Sequence, residues 1–275
     1  MRLAVVFYAL MLVPETGWCD AWTVPAGAWR FSPSVSFYSA QRQYTSTGQT
    51  THLYFDGTFD LAVITIYGEV GVTDDLTLIG DLPVSHALFE ARDSTHAYTR
   101  TLTEPSYYGV GARYALWRPG TSVVSVSASL HVPPGFHDGL FDDPHHLFLS
   151  DGFFEGIGRI EVGTRLKWGW IEAIAAYHAR AEEAANQLEF RGVVGLASQE
   201  RVQIKLTFQA VKSLAPLPDL PLDVEETTIV ENYLWMDGQM LFSLSDRLTL
   251  GASIGVRVLG EHTLSLSGGT LTVLF

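Results

Sequence analysis

Ser127, Ser129 and His131 fall two residues apart in "VVSVSASLHV", so a strand would carry all three on one face. A hydroxyl beside an imidazole is the start of nucleophilic hydrolysis, the imidazole taking the hydroxyl proton. No His-x-Ser-x-Gly pattern accompanies them, so hydrolysis is the weakest of three functional readings, and no catalytic residue is assigned. Loop 133–153, "PPGFHDGLFDDPHHLFLSDGF", offers nitrogen and oxygen ligands in His137, Asp142, Asp143, His145 and His146. Their spacing matches no defined metal motif, and adjacent histidines point apart on extended backbone. A solvated acidic loop is the better reading, with neither metal nor cofactor expected.

The apolar residues of the same loop carry more weight. Phe136, Phe141, Phe148, Phe153 and Phe154, with Leu140 and Leu147, either fold inward over a mouth as an apolar gate or ligand patch, or rest on a lipid leaflet. Glycines in "YYGVGARY" and "GFFEGIGRIE" look superficially like nucleotide loops, but no helix or parallel strand follows them. Gly109, Gly111, Gly156 and Gly158 are better read as places where a strand wall bends or packs around large neighbours.

The elements that position these residues are strands. Helical periodicity is nearly absent and period two is nearly everywhere. In "LAVITIYGEV", Ala62, Ile64, Ile66 and Val70 oppose Val63, Thr65, Tyr67 and Glu69. "RIEVGTRLKW", "RVQIKLTFQA" and "LTLGASIGVRV" alternate in the same way. Hydrophobic residues make up 47% of the 275, yet no apolar run reaches the roughly 18 residues of a spanning helix. The apolar face extends over about nine to eleven residues per strand, which is bilayer length at a barrel tilt.

Connections alternate between short turns and longer polar loops. Short turns are expected near Thr73–Asp75, Pro119–Thr121, Gly169, Ser198–Glu200 and Ser245–Asp246. Longer loops are expected near 40–57, 91–104, 133–153, 181–187, 212–226 and 259–263. About twelve strands result, an even number that leaves both termini on the periplasmic side. The fold class is therefore all-β: a closed antiparallel transmembrane β-barrel of about 12 strands with short periplasmic turns and longer extracellular loops. Trp117, Trp168 and Trp170 sit beside short turns, where an aromatic girdle would lie. The final strand, "LTVLF", pairs with the first, "AWRFSPSVSF", so that no edge stays open.

Alternation also fixes which charges face inward. Glu69, Asp81, Arg113, Glu161, Arg165 and Lys167 take the polar face of their strands. So do Glu172, Arg180, Glu189, Arg191, Lys205 and Arg257. Facing lipid, charges of this kind cost about 2–4 kcal/mol near the midplane, so the register is strongly forced. The mixture of signs reads as an ion-paired network filling a narrow lumen, or as a polar pore lining that selects solutes; the network is favoured.

"MRLAVVFYALMLVPETGWCDA" has the short positive start, apolar core and small-x-small ending of a secretory signal, so residues 1–21 are expected to be removed. Residues 22–275 then form one barrel domain without cysteine. The first strand begins within a few residues of that cut, which leaves no segment long enough to fill the lumen. Removal of Arg2, Glu15 and Asp20 leaves 16 basic and 28 acidic residues, a net charge of −12. That acidity argues against nucleic acid as a partner. The expected partners are outer-membrane lipid and a small-molecule solute.

"AWTVPAGAWRFSPSVSFYSAQRQY", "YFDGTFD" and "IYGEVGVTDDLTLIGDLP" resemble the XagA-like outer-membrane barrels and the related barrels of the putative MetA pathway of phenol degradation. The resemblance is clearest over about the first 90 residues. It implies a bacterial outer-membrane location and export or uptake of small, often apolar or aromatic compounds, and it carries over no catalytic residue. The terminal Phe275 likewise resembles the C-terminal aromatic signal read by the outer-membrane assembly machinery. The leading reading is a passive channel or binding barrel for a small, apolar or aromatic molecule. The alternative is a closed structural or surface-adhesion barrel.

Overall fold

We describe a computed structural model of the chain, over residues 21–45, 48–53, 56–92, 97–134, 154–181, 185–198, 201–214, 232–245, 248–261 and 263–275. The strands are β1 (Trp29–Ala40), β2 (Arg42–Tyr44), β3 (Thr50–His52), β4 (Thr58–Gly71), β5 (Leu76–Arg92), β6 (Ala97–Pro105), β7 (Tyr108–Trp117) and β8 (Ser122–Val132). They continue with β9 (Glu155–Leu166), β10 (Gly169–Arg180), β11 (Gln187–Ser198), β12 (Val202–Ser213), β13 (Asn232–Ser245), β14 (Leu248–Glu261), β15 (Thr263–Leu264) and β16 (Ser267–Leu274).

The wall strands pair antiparallel in the order β4-β1-β16-β14-β13-β12-β11-β10-β9-β8-β7-β5, with β6 on the far side of β5, and β4–β5 pairing closes the sheet. With β6 and β7 counted as one strand interrupted at Ser106–Tyr107, the result is a closed 12-strand barrel. The seam is β1 against β16, from Ser39↔Ser267 to Ser34↔Thr272. Beyond the ladder, the Phe275 amide donates to the Phe31 carbonyl at 2.9 Å, and the two rings lie 6.2 Å apart. The apolar last strand thus has its partner, and the barrel has no open edge at its seam.

The outer surface is apolar all round. Ile254 is 75% exposed, and Val110, Ile160, Phe190 and Leu271 are also well exposed. The alternate residues of the same strands face inward. An apolar exterior around a polar interior reverses the soluble pattern and marks a wall that lies in lipid.

Three expectations need correction. The polar loop expected at 91–104 is a hairpin: β5 continues to Arg92 and pairs with β6 from Val84↔Pro105 to Arg92↔Ala97. The β-branched Thr99, Thr101 and Thr103 favour extended backbone there. The loop expected at 40–57 contains β2 and β3, which form a small sheet with β15. Leu53 packs with Ala40, Phe59 and Ala87 beneath that sheet, and the Tyr44 hydroxyl ties it to the carbonyls of Arg257 and Val258 on β14. Trp117 and Trp168 are exposed, as a girdle requires, but Trp170 is only 4% exposed. It shares the inward face of β10 with Glu172, and its ring fills the space left by Gly195.

Candidate functional site

At the short-turn end the lumen holds a buried ionic knot. Glu69 on β4 accepts from Arg30 Nη1 and Arg113 Nη1, each at 2.8 Å, and from the Tyr67 hydroxyl at 2.6 Å. Arg113 turns its Nε to Glu161 on β9 at 2.9 Å, and the Ser127 hydroxyl donates to the same carboxylate at 2.7 Å. Glu69 and Glu161 are each 1% exposed. Burial of a carboxylate is offset only where cations and donors surround it this closely.

The N-terminal segment, expected to be too short to fill the lumen, enters the same end. The Ala21 amide donates to Glu172 Oε1 at 2.9 Å, and the Ser125 hydroxyl donates to the Ala21 carbonyl at 2.9 Å. Val24 donates its amide to the Thr77 hydroxyl at 2.8 Å. The Trp22 ring takes the space that Gly163 leaves open, with the Arg165 guanidinium 5.3 Å from its centre. A residue with a side chain at 163 would collide with that ring.

Higher in the lumen a second chain of polar groups runs across β8 to β11. Glu155 bonds His131 Nδ1 at 3.1 Å and His178 Nδ1 at 2.9 Å, and His178 Nε2 reaches Glu189 at 3.1 Å. Arg180 Nε lies 4.0 Å from Glu155, and Arg191 Nε lies 3.6 Å from Glu189. The Tyr107 ring stacks on His131 at 4.0 Å, and its hydroxyl bonds Asp81. Glu155, His178 and Tyr107 escaped the sequence reading. The alternation that places Arg180 inward places His178 inward as well.

The serine–histidine reading finds no geometry to support it. His131 is engaged by Glu155 and Tyr107, Ser127 by Glu161, and Ser129 by Arg159 at 3.2 Å. Among the described residues no group of three or more His, Cys, Asp or Glu side chains is placed to hold a metal. Of the proposed gating loop, Phe136, Phe141, Phe148 and Phe153 lie outside the described residues. Phe154 is half-buried, and its carbonyl accepts the Ala181 amide at 2.9 Å. Lys167 leaves the wall: β9 ends at Leu166, and Lys167 and Trp168 form the exposed turn before β10.

The opposite side of the lumen, β11 to β14 with β16 and β1, is lined differently. Lys205 is half-buried there, and the Arg257 guanidinium is held over the Tyr233 ring at 4.3 Å. Between these strands lies a cavity of about 240 Å³, lined by Tyr38, Trp235, Asp237 and Gln239 with Gly255 and Gly268. Ion pairs thus crowd one side of the lumen, and the cavity lies on the other.

The barrel matches known outer-membrane barrels in fold. The COG4313 outer-membrane channel from Pseudomonas putida F1 superposes with a TM-score of 0.70, covering 94% of this chain and 99% of that one at 10% identity. The NanC porin follows at a TM-score of 0.51, covering 87% of this chain and 97% of its own at 8% identity. No family model and no curated protein matches the sequence. The chain folds as an outer-membrane β-barrel.

Proposed function

We propose that the protein is a passive outer-membrane channel for a small solute, which moves along the open side of the lumen. The observation that carries this reading is the lateral division of the interior. The charges of β4, β7, β9 and β10 are consumed by one another and by the N-terminal segment, whereas β11 to β14 and β16 enclose the 240 Å³ cavity. Side chains already tied in ion pairs build the wall, and the open side takes the solute. Kinship with the XagA-like and MetA-pathway barrels belongs to this proposal. So does passage of an apolar or aromatic compound, which rests on that kinship. Recognition of Phe275 by the assembly machinery is proposed on its place at the seam.

A closed structural barrel is the second reading, favoured by the segment from Ala21 to Val24 buried in the short-turn mouth. Swelling of liposomes that contain the refolded mature chain decides between them. Swelling with a small sugar or a small aromatic solute is expected. A folded barrel that admits neither is the closed one.

A further inference from the structure

We propose that the open side of the lumen carries a binding site for a single neutral pyranose ring, built on Tyr38 and Trp235. The proposal deepens the channel reading and rests on it only in that the ring must reach the lumen.

Tyr38 on β1 and Trp235 on β13 are separated along the wall by β14 and β16. Their rings nevertheless meet edge to face, 5.9 Å apart and inclined at 67°. They meet because the two intervening strands present glycine at that level. Gly255 pairs with Gly268, which pairs in turn with Tyr38. A Cβ at Gly255 would collide with the Trp235 indole, and one at Gly268 would lie 2.6 Å from Tyr38 Cδ1. The glycines let both rings lie down against the backbone. One face of each ring covers the strands, and the half-buried rings form an aromatic corner bordering the cavity. Such a corner accepts the C–H face of a sugar ring.

Hydrogen-bonding groups surround the corner within one turn of the wall. Asp237 and Gln239 lie on β13, Ser253 on β14 bonds Asp237, and Thr207 and Gln209 face them from β12. One carboxylate acceptor, side-chain amides and hydroxyls beside the two rings together complement several vicinal hydroxyls, each both donor and acceptor. The charges favour a neutral ligand. Arg191 lies beside Glu189 at 3.6 Å, and Lys205 is the diagonal cross-strand neighbour of Asp237. Arg257, the cross-strand partner of Trp235, is engaged over the Tyr233 ring at 4.3 Å, so each of these cations already has a carboxylate or a ring beside it. The cavity of about 240 Å³ has room for one ring, lying just below the roughly 300–1,000 Å³ of drug-sized sites.

Saturation-transfer NMR on the refolded, detergent-solubilised mature barrel tests the site with methyl glucoside, glucuronate and phenol as probes. Transfer to the ring protons of methyl glucoside is expected. The apparent affinity should fall about three- to tenfold in Trp235→Leu and again in Tyr38→Ser, the effect of one stacked ring each. Asp237→Asn should weaken binding without changing the heat-dependent gel mobility that reports a folded barrel. No transfer in the folded wild type, equal transfer in the Tyr38→Ser/Trp235→Leu double variant, or stronger binding of glucuronate or phenol would each overturn the proposal. Swelling is scored separately. Flux without saturation transfer removes the site and keeps the channel, and saturation transfer without flux does the reverse.

Discussion

Arg113 and Glu161 meet at 2.9 Å, guanidinium Nε to carboxylate, with both side chains shut away from water. The other arm of the same guanidinium holds Glu69. Removing Arg113 would take the guanidinium from buried Glu161 and leave Glu69 with Arg30 and Tyr67, and breaking a buried ion pair costs about 3–5 kcal/mol. Arg113→Ala is expected to destabilise the barrel by about that amount in urea unfolding followed by tryptophan fluorescence. Arg113→Lys should recover little, because a point charge cannot fork between two carboxylates. A loss of about 1 kcal/mol or less, as for an exposed pair, would show that water reaches the knot.

The N-terminal segment narrows the short-turn mouth, so its removal should widen the path. Deletion of residues 22–27 is expected to raise single-channel conductance in planar bilayers while the heat-modified gel shift stays normal. Unchanged conductance would place the narrowest point elsewhere, most plainly among Glu155, His178 and Glu189.

Ala21 bears on processing. The sequence alone favours a cut after Ala21, yet the structure buries that residue completely and bonds both its backbone groups. Gly17 and Cys19 provide a second small-x-small step two residues earlier. The mature chain extracted from outer membranes is expected to begin at Asp20 and to retain Ala21, which intact mass would show. A mass beginning at Trp22 would mean that the Trp22 ammonium takes over beside Glu172.

Phe275 is held to Phe31 by two backbone hydrogen bonds that any residue would make. Phe275→Ala therefore removes only the ring. It is expected to lower the amount of assembled barrel in cells severalfold, while the purified chain refolds in detergent almost as before. Equal loss in both settings would make the ring a stability contact and not a recognition signal.

The barrel and its seam were legible because period two leaves few choices. A charge on the wrong face of β4 or β9 would meet lipid, so Glu69 and Glu161 had one place to go. Trp170 was misassigned by its nearness to a turn, although alternation from Glu172 already turned it inward. Lys167 was lost when the turn came at Lys167–Trp168 and not at Gly169. The segment "AWTVPAGA" was not legible at all. It has no periodicity, and the Ala21–Glu172 bond joins residues 151 positions apart. The Tyr38–Trp235 corner was hidden for a related reason: it depends on glycines of two other strands arriving at one level.

The threaded segment has a consequence for timing. Its bonds run to Thr77, Ser125 and Glu172, on strands that come together only when the sheet has curled around it. A chain still being inserted has no such cradle, and residues 21–28 then hang loose in the periplasm, open to a protease. Once the wall is complete they are hidden. Protection of this segment from cleavage is thus expected to distinguish a finished barrel from one abandoned part-way.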